Sequence, residues 1–162
     1  MHVPHASPGG GRIAALVHAY LAAEYRWECD GDWLDLHIGA PAPAVSARYP
    51  AARTAGLLSA WNPHSVVRPD AENRAEDERL QADLVASGCA FRPAFSSSAN
   101  RSWREPSWLV IDMAVGAFDA LSRRFGQLGT LYWRTDAPIR MRIDAQPPPG
   151  FADHADLDWL RS

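Results

Sequence analysis

The sequence predicts an α+β fold, a ferredoxin-like split β-α-β core (β-α-β-β-α-β) with an N-terminal helix and a β-hairpin added. Three observations lead there. The 162 residues are 47% hydrophobic and 22% charged, a globular composition and a length suited to one core. From Gly56 to Trp133 the elements read strand, helix, strand, strand, helix, strand. Ahead of them, two short alternating segments flank a tight-turn sequence, Asp30-Gly31-Asp32.

The elements follow in order. Residues 1–11, rich in Pro and Gly, are expected as a flexible tail, with His2 and His5 as no more than loose metal ligands. Ile13, Leu16, Val17, Tyr20 and Leu21 then recur at helical spacing. Tyr25–Cys29 and Trp33–Ile38 form the hairpin; Leu34, Leu36 and Ile38 alternate with Asp35 and His37, so one face is wetter. Ala40–Pro43 is a linker, and a short helix is possible through Ala44–Tyr49. Gly56–Trp61 reads as a buried strand that stops at Asn62-Pro63, because Pro cannot donate to a ladder.

The clearest helix starts near Asp70, placed to cap it, and ends at Gly88. Ala90–Phe95 is a strand, Ser96–Ser102 a polar loop, and Trp108–Ile111 a further strand. A second helix spans Met113–Phe125 on the stripe Ala114, Phe118, Leu121, Phe125. Thr130–Trp133 follows, and Ile139–Ile143 is able to pair with it. These elements make a single α+β domain over residues 12–145. Residues 146–162 carry a Pro-rich run and are expected as a mobile arm that Leu157, Trp159 and Leu160 would dock back.

The order of elements has a geometric consequence. With the first strand of the core running upward, the loop Asn62–Asp70, the loop Ser96–Ser107, the turn Gly126–Gly129 and the start of the first core helix all lie at the upper end. Those junctions hold Asn62, His64, Ser65, Trp103, Arg104, Glu105, Ser107 and Gln127. Asn73 shares a helical stripe with Asp77, Leu80 and Leu84, so it faces the sheet at its upper rim. Convergent polar groups beside aromatic surface are the makeup of a binding pocket.

Four runs occur in order: Ser59-Ala60-Trp61-Asn62-Pro63-His64-Ser65, Glu72-Asn73, Trp103-Arg104-Glu105-Pro106-Ser107 and Phe125-Gly126-Gln127. Together they resemble the successive motifs of an uncharacterised bacterial family whose domain is of unknown function (DUF3293-like). The resemblance covers roughly Trp33 to Ile143 and implies no catalytic residues. The sequence departs from the family pattern at Ser96–Asn100, where glycines are usual, and at Leu128, where a small polar residue is common.

Each candidate residue has two readings. Asn62, Asn73, Trp103, Glu105 and Gln127 are ligand-binding candidates, with Trp61 or Trp103 as stacking surfaces. Asn62 before Pro63 is equally a turn former, and Asn73 equally a lock on the loop carrying Asn62. Glu105, beside apolar surface, is a candidate general acid or base, or else the partner of Arg104 or another Arg. His64 is a candidate base, or an exposed loop histidine. Ser107 lacks the G-x-S-x-G elbow of a nucleophile. No P-loop, dinucleotide, H-E-x-x-H or EF-hand pattern is present, so no cofactor and no metal site are expected.

All 16 basic residues are Arg, the only strong anchors for an anion; Arg68 or Arg104, with the helix N-terminus, would serve. The net charge of -3 argues against nucleic acid as a partner. No membrane partner is expected, because no apolar run approaches a span. Cys29 and Cys89 read as free thiols; with no signal peptide legible, a cytoplasmic location is expected. The function expected is the binding of a small polar molecule or nucleotide at one end of the sheet, with or without catalysis. The alternative is a protein-interaction or regulatory module whose motif residues are structural locks; the seven tryptophans fit its hot spots. The sequence assigns no oligomeric state.

Overall fold

The computed structural model describes residues 8–98, 100 and 103–162. In chain order the elements are α1 (Pro8–Ala22), β1 (Glu24–Cys29), β2 (Asp32–Leu36), α2 (Pro43–Arg48), β3 (Thr54–Leu58), α3 (Asp70–Ser87), β4 (Phe91–Ser97), β5 (Arg104–Ile111), α4 (Val115–Arg124), β6 (Gly129–Arg134), β7 (Met141–Ile143) and β8 (Leu157–Trp159). A 3-10 turn at Pro63–Ser65 follows β3.

The strands form one eight-stranded mixed sheet in the order β2-β1-β4-β5-β3-β6-β7-β8. All pairs are antiparallel except β7 with β8. Helices cover both faces. On one, Val17 of α1 and Val45 of α2 pack with Trp27, Leu57, Leu109, Leu131 and Trp133. On the other, Leu80 and Leu84 of α3 and Phe118 of α4 pack with Leu58, Val110 and Tyr132. This is why β3 reads as a continuous apolar run: a central strand buried on both faces has no polar alternation. Gly56 permits the tightest contact, since a Cβ there would stand 2.4 Å from the Phe118 ring. No helix among the described residues is long and apolar enough to cross a membrane.

Several boundaries differ from the sequence-based expectation. α1 begins at Pro8, inside the expected tail; proline is well suited to a first helical turn. Residues 1–7, with His2 and His5, lie outside the described residues. Asp70 does not cap α3. Pro69 holds the cap position, Asp70 is the first helical residue, and no side chain caps the end.

The largest change concerns the loop expected from Ser96 to Ser107. The β4–β5 ladder runs on through Ser96↔Glu105 and Ser97↔Arg104. Ladder bonds are made by the backbone, so polar side chains there do not stop the pairing. Glu105 and Ser107 therefore sit on a strand. The tail from residue 146 supplies β8, with Leu157 buried. Arg140 holds it with a two-pronged pair to Asp158, at 2.9 and 2.8 Å.

Candidate functional site

The site is built where the chain leaves β3. Ser59 Oγ donates to the Pro106 carbonyl (2.7 Å) and accepts from the Trp61 N–H (2.9 Å), tying the strand end to β5. The chain then turns through left-handed backbone at Asn62 (φ 46°), His64 (φ 57°) and Ser65 (φ 58°). Each such non-glycine residue costs about 1–2 kcal/mol, so the surrounding contacts must hold it there.

A closed set of hydrogen bonds does so. The Asn62 N–H donates to Asn73 Oδ1 (2.9 Å), and Asn73 Nδ2 donates back to Asn62 Oδ1 (2.8 Å). The Arg68 guanidinium donates from Nε to Asn73 Oδ1 (2.6 Å) and from its terminal nitrogen to the Ala60 carbonyl (2.8 Å). The Arg68 N–H donates to Asn62 Oδ1 (3.2 Å). Asn73 is buried on α3, on the stripe with Leu80 and Leu84. Gly126 completes the brace: its carbonyl accepts from the His64 N–H (2.6 Å), and its missing side chain makes room for Pro63. Gln127 Nε2 donates to the carbonyls of Trp61 (3.0 Å) and Phe125 (3.2 Å).

From this brace one bond reaches the other face of the sheet. Asn62 Nδ2 donates to Glu105 Oε1 at 2.8 Å. Glu105 lines a cleft of about 670 Å³ between α1 and the upper end of the sheet. Leu16, Ala19 and Tyr20 of α1 form its roof, with Leu57 and Leu131 on the sheet and Trp103 at the rim. The Tyr20 hydroxyl bonds Ser65 Oγ and the Arg12 guanidinium donates to the His64 carbonyl, which fastens α1 over the loop. The Tyr25 hydroxyl donates to the Tyr20 carbonyl at 2.5 Å.

The electrostatics of the cleft centre on Glu105. Burial pushes the Glu105 carboxyl above the usual carboxylate range, and the Asn62 N–H opposes that only in part. Among the described residues no Arg or His forms an ion pair with Glu105, so the alternative of a salt bridge to Arg104 is set aside. Arg104 instead lies 3.8 Å from the Phe95 ring centroid and 5.5 Å from that of Trp33. Burial also raises the Tyr20 and Tyr25 phenols, with the Glu105 charge adding to it. Ser107 Oγ and Trp61 Nε1 are buried along the cleft and have no hydrogen-bond partner among the described residues.

The structure thus puts Asn62 in direct contact with both Asn73 and Glu105 and sets Gln127 and Trp103 at the same end of the sheet. The His64 candidate differs. Its residue is exposed, and its backbone rather than its ring makes the hydrogen bonds. The two expected anion anchors are held by neutral groups. Arg68 is spent inside the brace, Arg104 is stacked on aromatic rings, and Asp70 and Glu72 occupy the first turn of α3. Asp77 lies apart, accepting from Trp108 Nε1 at 2.9 Å. Among the described residues no three His, Cys, Asp or Glu side chains gather where they would hold a metal ion.

Sequence reasoning missed the roles of Arg68, Tyr20 and Tyr25. Tyr20 was legible only as one member of an apolar helical stripe. The bracing role of Arg68 had no local signature, since its partners are a backbone carbonyl and an amide five residues on.

Residues 58–129 match the model of a family described as protein of unknown function (DUF3293). The chain is DUF3293-like. The DUF3293 segment runs from the last residue of β3 to the first of β6. It therefore contains the whole brace, together with Trp103, Glu105 and Ser107, whereas α1 and Tyr25 lie outside it. No curated protein and no solved structure gave a match to the chain.

Proposed function

We propose that this DUF3293-like protein binds a small polar molecule in the cleft between α1 and the sheet, with Glu105 as the group that reads it. The observation that carries this reading is the Glu105 carboxylate itself. It stands on a strand, is held from one side by Asn62, and has no counter-charge among the described residues. A half-buried carboxylate left in that state is costly to keep unless a partner arrives. Asn62, Asn73 and Arg68 are then the brace that aims it, and Gln127 and Trp103 shape the rim. A raised carboxyl pKa also suits proton transfer, so the same residue is the candidate acid or base should the cleft be catalytic.

The protein-interaction reading has its own observation. Trp33 and Trp103 are 44% and 40% exposed, and Arg104 stacks on Trp33 and Phe95. Such an aromatic and Arg patch fits an interface anchor. We also read β3-α3-β4-β5-α4-β6 as a ferredoxin-like unit. The spatial order β4-β5-β3-β6, with α3 and α4 on one face, supports that reading. The free thiols of Cys29 and Cys89 fit a reducing cytoplasm.

The test is a thermal-shift screen against metabolites on the wild type and Glu105→Ala. Hits stabilise the wild type, and the shift disappears in the variant. Hits that persist undiminished in Glu105→Ala would place the ligand elsewhere.

A further inference from the structure

The cleft has a floor of sheet and a roof of helix, and the two are held very differently. The floor includes Leu57 on β3, Leu131 on β6 and Met141 on β7, all buried. The roof is α1, through Leu16, Ala19 and Tyr20. Among the described residues of α1, Val17 alone is buried, whereas α3 buries Asn73, Leu80 and Leu84 and α4 buries Phe118, Asp119 and Ser122. The space of about 670 Å³ lies where a closely packed helix would touch the sheet. The first turn of α1 contains Gly9, Gly10 and Gly11, and glycine is the weakest helix former after proline. Few buried contacts and a weak first turn are the marks of a segment that opens locally.

What fastens α1 over the cleft is polar. The Tyr20 hydroxyl bonds Ser65 Oγ, and the Arg12 guanidinium donates to the His64 carbonyl. Both land on the loop after β3, at residues in left-handed backbone (φ 57° and 58°), a conformation that persists only while its surroundings hold it. The Tyr20 ring is seated closely, since a Cβ on Gly129 would lie 3.1 Å from it. The chain passes from α1 to β1 through Ala23 alone, and there the buried Tyr25 donates to the Tyr20 carbonyl. The exposed His18 meets Phe151 edge-on, with 5.1 Å between ring centroids.

We infer that α1 is a lid on the cleft, hinged at Ala22-Ala23 and latched by Tyr20 and Arg12 onto the loop carrying His64 and Ser65. When the latches release, α1 lifts while the sheet, backed by α3 and α4, stays folded. This rests on the reading of the cleft as a binding site and adds how a ligand enters it. The latched loop also carries Asn62, the donor to Glu105, so lid and carboxylate share one support.

Thiol labelling of the full chain tests the lid without any ligand. In a background of Cys29→Ser and Cys89→Ser, Leu57→Cys places a thiol under α1, and Val110→Cys places one in the core on the other face. Met141→Cys is the second cleft sensor should Leu57→Cys fold poorly. Each is reacted with the bulky reagent dithiobis(nitrobenzoate) at urea concentrations below the unfolding transition. The cleft thiol reacts about tenfold faster than the Val110→Cys thiol or more, at a rate nearly independent of urea, because lifting one helix exposes little surface. Adding Tyr20→Phe, which removes one latch, speeds cleft labelling about fivefold to tenfold and leaves that urea independence intact. If the cleft thiol reacts with the same urea dependence as Val110→Cys, α1 is a fixed layer and the lid is overturned. It is equally overturned if labelling is fast but indifferent to Tyr20→Phe, since the reagent then enters through a standing opening. Either failure leaves the thermal-shift result with Glu105→Ala untouched, so the binding reading stands or falls separately.

Discussion

Two clusters of polar side chains sit back to back at the upper end of the sheet, and they differ in how fully they are satisfied. On the α3 side, Asn62, Asn73 and Arg68 answer one another's donors and acceptors. On the α1 side, Glu105 takes one bond from a described residue, and Ser107 Oγ and Trp61 Nε1 take none. A saturated network rigidifies and specifies a conformation, while an unsatisfied one retains capacity for a partner. The question of lock or pocket thus divides by residue: Asn73 belongs to the lock, Glu105 to the pocket, and Asn62 joins them.

Breaking the saturated side has the largest effect. Asn73→Leu leaves the Asn62 N–H and the Arg68 Nε–H without their acceptor. A loss of about 3–4 kcal/mol is expected, lowering Tm by roughly 10 °C. Urea unfolding measures it, and a loss under about 1 kcal/mol would show that water replaces the amide.

Gly126→Ala is expected to cost about 2 kcal/mol. The residue sits at φ 66°, and a Cβ would lie 2.6 Å from Pro63 Cβ. The same unfolding assay applies, and an unchanged midpoint would mean that the loop moves aside without penalty.

The unsatisfied side responds in the opposite sense. Glu105→Gln removes a desolvated charge and raises unliganded stability by up to about 1 kcal/mol near neutral pH. The sign follows from the raised carboxyl pKa. The native state holds the proton to higher pH than the unfolded chain. That contribution to stability is full below the unfolded pKa and is lost as pH rises through the folded one. The advantage of Glu105→Gln therefore grows with pH across that window and shrinks under acid. Asp77, also raised by burial, shifts both proteins alike and cancels in the difference. A stability gap that widened toward low pH would contradict the desolvation account. Ser107→Ala is the smallest change, within about 0.5 kcal/mol, because its hydroxyl has no bond to a described residue to lose. A larger loss on thermal denaturation would reveal a partner.

Much of the fold was legible because its signals are local. Gly88 ends α3 in left-handed backbone, as its glycine predicts. Asp30-Gly31 makes the β1–β2 turn, and Leu80 and Leu84 turn inward at helical spacing. The β4–β5 extension was not legible. Ser96, Ser97, Arg104 and Glu105 look like loop residues by side chain, and only the strand opposite supplies their ladder bonds. The covering of the cleft was equally hidden. Nothing near Tyr20 indicates that its hydroxyl meets Ser65, 45 residues away.

For the Trp61–Ser65 turn the division is clear. The sequence by itself determined that a buried strand precedes the Asn62-Pro63 turn, although β3 ends earlier, at Leu58, than the expected Trp61, and that Asn73 faces the sheet and Asn62, Glu105 and Gln127 share one end, because chain direction and helical period are local properties. Only the tertiary structure decided that Arg68 closes the brace, that Glu105 rides on a strand, and that α1 roofs the cleft. Those outcomes depend on which distant group satisfies each donor and acceptor, and hydrogen-bond partners between distant segments leave no periodic trace in the chain.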